Sequence, residues 1–180
     1  GGGTKVTVGT LIYMAKNDDA KGYKTFINSK KSSLVTLECN TQFHIAQLLH
    51  TLYKDVYKCV SIQRKQWYFF NGVIWKEIDC GIYLRLAISE EIPKLFRKLK
   101  KELHSRLSEN DDEENDAPAM KEYKKIYKIL CDLKSTTFKN NVMREACDLF
   151  YDSDFFDNLD ANPMIIAFRN GVYDLTTNEF

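Results

Sequence analysis

Gln66-Trp67-Tyr68-Phe69-Phe70-Asn71-Gly72-Val73-Ile74-Trp75 is the stretch that decides the fold. Asn-Gly stands between two aromatic and β-branched runs, and a two-residue type I′ turn selects that pair because both of its central positions need positive φ. A β-hairpin is expected over about Gln66–Trp75. The end of the chain repeats the logic: Ile165-Ile166-Ala167-Phe168-Arg169 and Val172-Tyr173-Asp174-Leu175 frame Asn170-Gly171, so a second hairpin is expected over about Ile165–Leu175.

Between and before the hairpins the apolar period is helical. Asn40 is the expected N-cap of a helix from Thr41 to Tyr57, with Phe43, Ala46, Leu49, Leu52, Tyr53 and Val56 on its inner stripe. From Asp79 to Leu107 the period continues through Tyr83, Leu84, Ala87 and Ile88, then Ile92, Leu95, Phe96, Leu99 and Leu103. Pro93 fits a first turn and not a helix interior, which predicts two consecutive helices with a break near Ser89. Met120–Leu133 reads as an amphipathic helix, and another follows Ser135-Thr136-Thr137 with Val142, Ala146, Leu149 and Phe150 inside. Residues 109–118 are too acidic to pack and read as a mobile loop, and residues 151–162 are acidic and turn-rich. Short strands are expected over Lys5–Ile12 and Tyr23–Leu37, around a polar Asn28–Ser33 loop.

The fold class that results is α+β: one mostly helical domain over residues 34–180 with two small β-hairpins, preceded by N-terminal strands or linker over 1–33. The Gly1-Gly2-Gly3 opening reads as a cloning remnant or cut edge, and the chain stops at Phe180 in mid-strand or turn, so it reads as an excised fragment.

Composition bounds the function. With 180 residues, 44% of them hydrophobic, the chain can bury a core, and its net charge of +1 gives no global signal for nucleic acid while leaving room for local basic and acidic blocks. No run approaches the roughly 18 apolar residues that span a bilayer, and no basic-then-apolar leader is present; no membrane association is expected. The five cysteines, Cys39, Cys59, Cys80, Cys131 and Cys147, are scattered with no Cys-x-x-Cys, which fits a reducing compartment.

The usual catalytic motifs are missing. There is no Gly-x-x-x-x-Gly-Lys to wrap phosphates, and the dense carboxylates of Asp111–Asp116 lie in a segment that cannot hold metal geometry. His44 and His50 are six apart on one helix, away from the shared face that i, i+4 zinc ligands need. Cys59 and Cys80 flank the first hairpin with no Cys–His pair near them and read as buried structural thiols. Asp152, Asp154, Asp157 and Asp160 are crowded enough to attract a divalent ion, the weakest of the readings.

What remains is charge and aromatic surface. Lys121, Lys124, Lys125 and Lys128 fall opposite the stripe of Met120, Tyr123, Ile126, Tyr127, Leu130 and Leu133; Lys94, Arg97 and Lys101 oppose Leu95, Leu99 and Leu103, with Lys98 and Lys100 at the edges. Two single-signed ridges suit phosphate contacts, and equally they suit the wet side of two helices. Trp67, Tyr68, Phe69 and Trp75 either offer stacking platforms to unpaired bases or bury by alternation in the sheet.

The order of features, from the Phe43–Tyr57 helix through Trp67–Trp75 to Asn162-Pro163 and the terminal Asn170-Gly171-Val172-Tyr173-Asp174-Leu175, resembles the poxvirus-type domain found just before the superfamily 3 helicase in primase-helicases of large cytoplasmic DNA viruses, phages and plasmids. The similarity covers about residues 34–180. It implies a non-catalytic accessory domain that links a primase to an ATP-driven ring helicase, supports the hexamer and guides single-stranded or forked DNA, at a viral replication site in the host cytoplasm. ATP and magnesium would belong to the parent protein and no cofactor to this segment, because none of the family's ATPase or primase motif residues matches a position here. The alternative is a protein-interaction domain that recruits other replication factors without touching DNA.

Overall fold

The computed structural model describes residues 15, 18–23, 25, 34–36, 38–109, 116–159, 164–168 and 171–180. Helices dominate: α1 (Gln42–Tyr53), α2 (Ile82–Glu90), α3 (Ile92–Glu109), α4 (Asp116–Asp132), α5 (Thr136–Leu149) and the single turn α6 (Phe155–Asn158). Strands β1 (Tyr57–Ser61), β2 (Gln66–Phe70) and β3 (Trp75–Asp79) form an antiparallel meander, and β4 (Ile165–Phe168) pairs antiparallel with β5 (Gly171–Asp174). The α+β class and both expected hairpins are present.

The first hairpin differs from its expected turn. Asn71 keeps a negative φ; its side-chain Oδ1 accepts from the N–H groups of Val73 and Ile74, both at 3.0 Å, and only Gly72 takes positive φ, at 101°. Residues 71–74 therefore make a four-residue loop organised by an Asx turn instead of a two-residue I′ turn. In the second hairpin Phe168 pairs with Gly171, which puts Gly171 in the strand; the two connecting residues lie outside the described ones.

Strand alternation divides the aromatic run. Cys59, Trp67 and Ile78 share one register row facing the helices, and Trp67 is 0% exposed, 5.5 Å from the Phe150 ring. The opposite face carries Tyr68, Phe70 and Trp75, and it is covered from below by Phe155 and Phe156 of α6, with ring centroids 4.9 Å (Tyr68–Phe155) and 5.3 Å (Trp75–Phe155) apart. Aromatic side chains pack in such tilted and edge-on pairs when they bury.

Helix α1 packs chiefly on α5, burying Ile45, Ala46, Leu48 and Leu49 against Val142, Ala146 and Phe150 in one continuous core. Its cap is Thr41 and not Asn40: Thr41 Oγ1 accepts from the His44 N–H at 3.2 Å. The helix ends at Tyr53, four residues before its expected end, because Tyr57 and Cys59 are buried as the first strand. Phe43, expected inside, is exposed. The break between α2 and α3 falls at Glu91, with Ile92 and Pro93 buried in the first turn of α3. Ser135 caps α5, its Oγ accepting from the Phe138 N–H.

Other expectations change at the edges. Of the expected 109–118 loop, Glu109 closes α3 and residues 116–118 open α4, while 110–115 lie outside the described residues. The expected strand over Lys5–Ile12 and the Asn28–Ser33 loop also lie outside them; of Tyr23–Leu37, Tyr23 and Thr25 are helical and residues 34–36 are not strand. Among the described residues no helix is long and apolar enough to cross a membrane.

Candidate nucleic-acid interface

Helices α3 and α4 pack side by side and carry the two basic ridges. The α3 sequence holds six Lys and Arg against two Glu, and in α4 the stretch from Lys121 to Lys128 holds four Lys against Glu122 alone, so each outer face is net positive. Lys94, Arg97, Lys98, Lys101, Lys121, Lys124, Lys125 and Lys128 are all exposed. Lys94 is partly neutralised, its Nζ 2.7 Å from Glu91 Oε1, an exposed i, i+3 pair of the kind worth little to stability.

The seam between the helices holds a side chain the helical period placed only at an edge. Lys100 is half-buried, and its Nζ sits 4.6 Å from the Tyr123 ring centroid and 5.8 Å from that of Tyr127. A cation at that distance over a ring is attracted by the ring's quadrupole. Met120 and Tyr127, expected in the buried stripe of α4, are 50% and 60% exposed; the stripe that buries is Ile126, Ile129 and Leu133. The outer side of the seam thus combines exposed aromatic and apolar surface with cations from both helices. The i, i+4 spacing of Tyr123 and Tyr127 was the available sequence signal.

The expected aromatic platforms lie elsewhere; Trp67 is closed, and Tyr68, Phe69 and Trp75 are half-buried. Trp67 is a core residue with no face for a base, and Trp75 spends its ring on Phe70 at 5.2 Å and on Phe155. Trp67 is therefore removed from the nucleic-acid site, the burial by alternation having prevailed.

The other chemistry-bearing groups named from the sequence are held in local contacts. Cys59 and Cys147 are buried beside each other, and their mutual hydrogen bond together with burial pushes the Cys59 thiol up, away from thiolate. Cys80 is exposed, contrary to its expected burial, and the neighbouring Asp79 raises its thiol too. His50 packs edge-on against Phe150 at 5.0 Å, where burial first and then Lys54 and Lys58 hold its imidazole below the usual range. Asp152 pairs with Lys58 at 3.0 Å and accepts from the Asp154 N–H, while Asp154 accepts from Ser153 Oγ; Asp160 lies outside the described residues. Among the described residues no three His, Cys, Asp or Glu side chains gather as a metal site. A surface cavity of about 500 Å³ at the base of β2 and β3 is lined by Arg64, Lys65, Glu77 and Asp79, a mixed-charge lining that favours no one ligand sign.

Comparison with known proteins gives the family. Residues 46–180 match the family described as D5 N terminal like. "Putative helicase L207/L206" of Acanthamoeba polyphaga mimivirus is 36% identical over 97% of this chain and 18% of its own length. "Putative helicase 022R" of Frog virus 3 is 28% identical over 93% of this chain and 20% of its own. "Putative primase C962R" of African swine fever virus (isolate Pig/Kenya/KEN-50/1950) is 25% identical over 96% of this chain and 20% of its own. The chain spans about a fifth of the length of these relatives. With three quarters of its residues inside the family match and relatives named as helicases and primases of large DNA viruses, this chain belongs to the D5 N-terminal-like family.

Proposed function

We propose that this chain is a non-catalytic accessory module of a viral replicative primase-helicase, standing between a primase and a superfamily 3 ATPase motor, where it supports hexamer assembly and guides single-stranded or forked DNA toward the ring. ATP and magnesium would be used by other parts of the parent, at a replication site in the host cytoplasm. The observation that carries the reading is the pair of exposed, net-positive faces on adjacent helices α3 and α4, in a chain whose relatives are named as helicases and primases. Phosphate contacts from such faces release counterions, so binding should weaken steeply with salt.

The test has two arms. Fluorescence anisotropy at low salt should show binding to forked or single-stranded DNA, and the chain joined to its motor should sediment as a hexamer where the motor alone assembles less well. Absence of both effects ends the proposal. A second reading, a protein-interaction domain, is favoured by the exposed apolar residues of the C-terminal hairpin, Ile166, Phe168, Leu175 and Phe180. Partners captured through that hairpin at high salt, with DNA binding undetectable, would select it.

A further inference from the structure

An exposed tyrosine on an amphipathic helix is ordinary by itself. Tyr127 is set apart by its surroundings. It is the more exposed of two tyrosines one turn apart, 60% open, and Lys100 from the neighbouring helix lies over both rings. Along α4, Lys124 stands one turn before it and Lys128 next to it, both exposed. Along α3, Arg97 stands one turn before Lys100 and Lys101 next to it, both exposed. An aromatic face bordered on two sides by cations is the combination by which proteins hold single strands: the ring stacks on a base, whichever base it is, and the cations follow the backbone.

We infer that the outer seam of α3 and α4 is a single-stranded DNA site in which the Tyr127 ring is the stacking platform for one base and Arg97, Lys101 and Lys124 neutralise the flanking phosphates. This rests on the DNA-guiding reading above and goes further, since that reading needs only positive charge and this one assigns a base contact to one ring. Lys100 has two roles here. In the free protein it fixes the tyrosine rings by its charge, and beside bound DNA it adds a further cation near the backbone. Duplex DNA, whose bases are already stacked on each other, offers the ring nothing, so the site prefers unpaired strands.

Fluorescein-labelled oligothymidylate, and the same oligonucleotide made with abasic sugars, separate the terms. Tyr127→Ala should weaken binding of oligothymidylate about tenfold with the salt slope unchanged, and Tyr127→Phe, which keeps the ring, should bind like wild type. The abasic strand should bind wild type and Tyr127→Ala equally. Lys124→Gln should instead lower the slope of log K against log salt by about 0.7, the signature of one lost phosphate on a single strand. If wild type binds and Tyr127→Ala binds as well as it does, the stacking site is wrong while the DNA-guiding reading stands. If wild type binds no single strand at low salt the stacking site falls, and if it binds no forked DNA either the DNA-guiding reading falls with it. Because Tyr127 is exposed, unchanged circular dichroism and melting of the variants keep either result attributable to the surface.

Discussion

Gly81 joins β3 to α2 in the left-handed region, at φ 64°, immediately after Cys80, itself at φ 47°. It is also buried against the sheet: a Cβ added there would lie 2.9 Å from Met143 Cε and 3.2 Å from Trp67 Cδ2. Gly81→Ala therefore carries two costs. Holding alanine in the left-handed region costs about 1–2 kcal/mol. Met143 Cε is the end of a flexible side chain and can turn away, but the Trp67 indole is wedged against Phe150 at 5.5 Å and must shift by a few tenths of an ångström, an overpacking of about 1–2 kcal/mol. The sum is about 2–4 kcal/mol, or roughly 5–15 °C in Tm for a chain of this size. Urea unfolding followed by far-ultraviolet circular dichroism and by tryptophan fluorescence measures it. Gly72→Ala, at φ 101° in the β2–β3 loop, meets a backbone penalty with no core side chain beside it and serves as the comparison for positive φ alone. A Gly81→Ala protein within about 0.5 kcal/mol of wild type would refute the packing described around Trp67.

Thr41→Ala should cost about 1 kcal/mol and Asn40→Ala close to nothing, checked by chemical denaturation, because the cap hydrogen bond to His44 comes from Thr41. Lys121, Lys124, Lys125 and Lys128 changed together to Gln should leave Tm nearly unchanged, all four being exposed, while flattening the salt dependence of DNA binding measured by anisotropy. Burial, with Glu91 adding to it, pushes Tyr53 from 10.0 up to about 12, and burial with Tyr53 and Tyr83 nearby does the same to Tyr57. Since the unfolded chain ionises first, the stability these phenols contribute is complete below pH 10 and is lost as pH rises toward 12; Tyr53→Phe and Tyr57→Phe should each make alkaline denaturation curves shallower over that window.

The elements that could be read from the sequence are those whose punctuation is local. Pro93 announced the α2–α3 break, and the Gln66–Trp75 alternation announced its hairpin. The turn type was missed because the Asn71 carboxamide serves as an acceptor for two N–H groups, a local bond that composition does not reveal. β1 was missed since Lys54-Asp55-Val56 carries no glycine or proline; what stops α1 is tertiary, the burial of Tyr57 and Cys59 opposite Phe69 and Trp67. The basic residues of the candidate interface were legible from the helical wheel. Which tyrosine stays open was not, because a wheel gives the width of an apolar stripe and says nothing of how much of it a neighbouring helix covers. The same limit hid Lys100, whose position acquires meaning only when α4 is laid beside it.

The tie between β1 and the chain after α5 has a consequence for how copies of this protein can meet. The Cys59 N–H donates to the Phe150 carbonyl at 2.9 Å, and the Cys59 carbonyl accepts from the Asp152 N–H at 3.0 Å, so the outer rim of the meander is already occupied at its centre. The other rim, β3, presents Lys76, Glu77 and Asp79 to solvent. Charged side chains on a free rim discourage a second chain from adding as a further strand. The three-stranded meander is therefore a poor template for strand addition, whichever molecule approaches it.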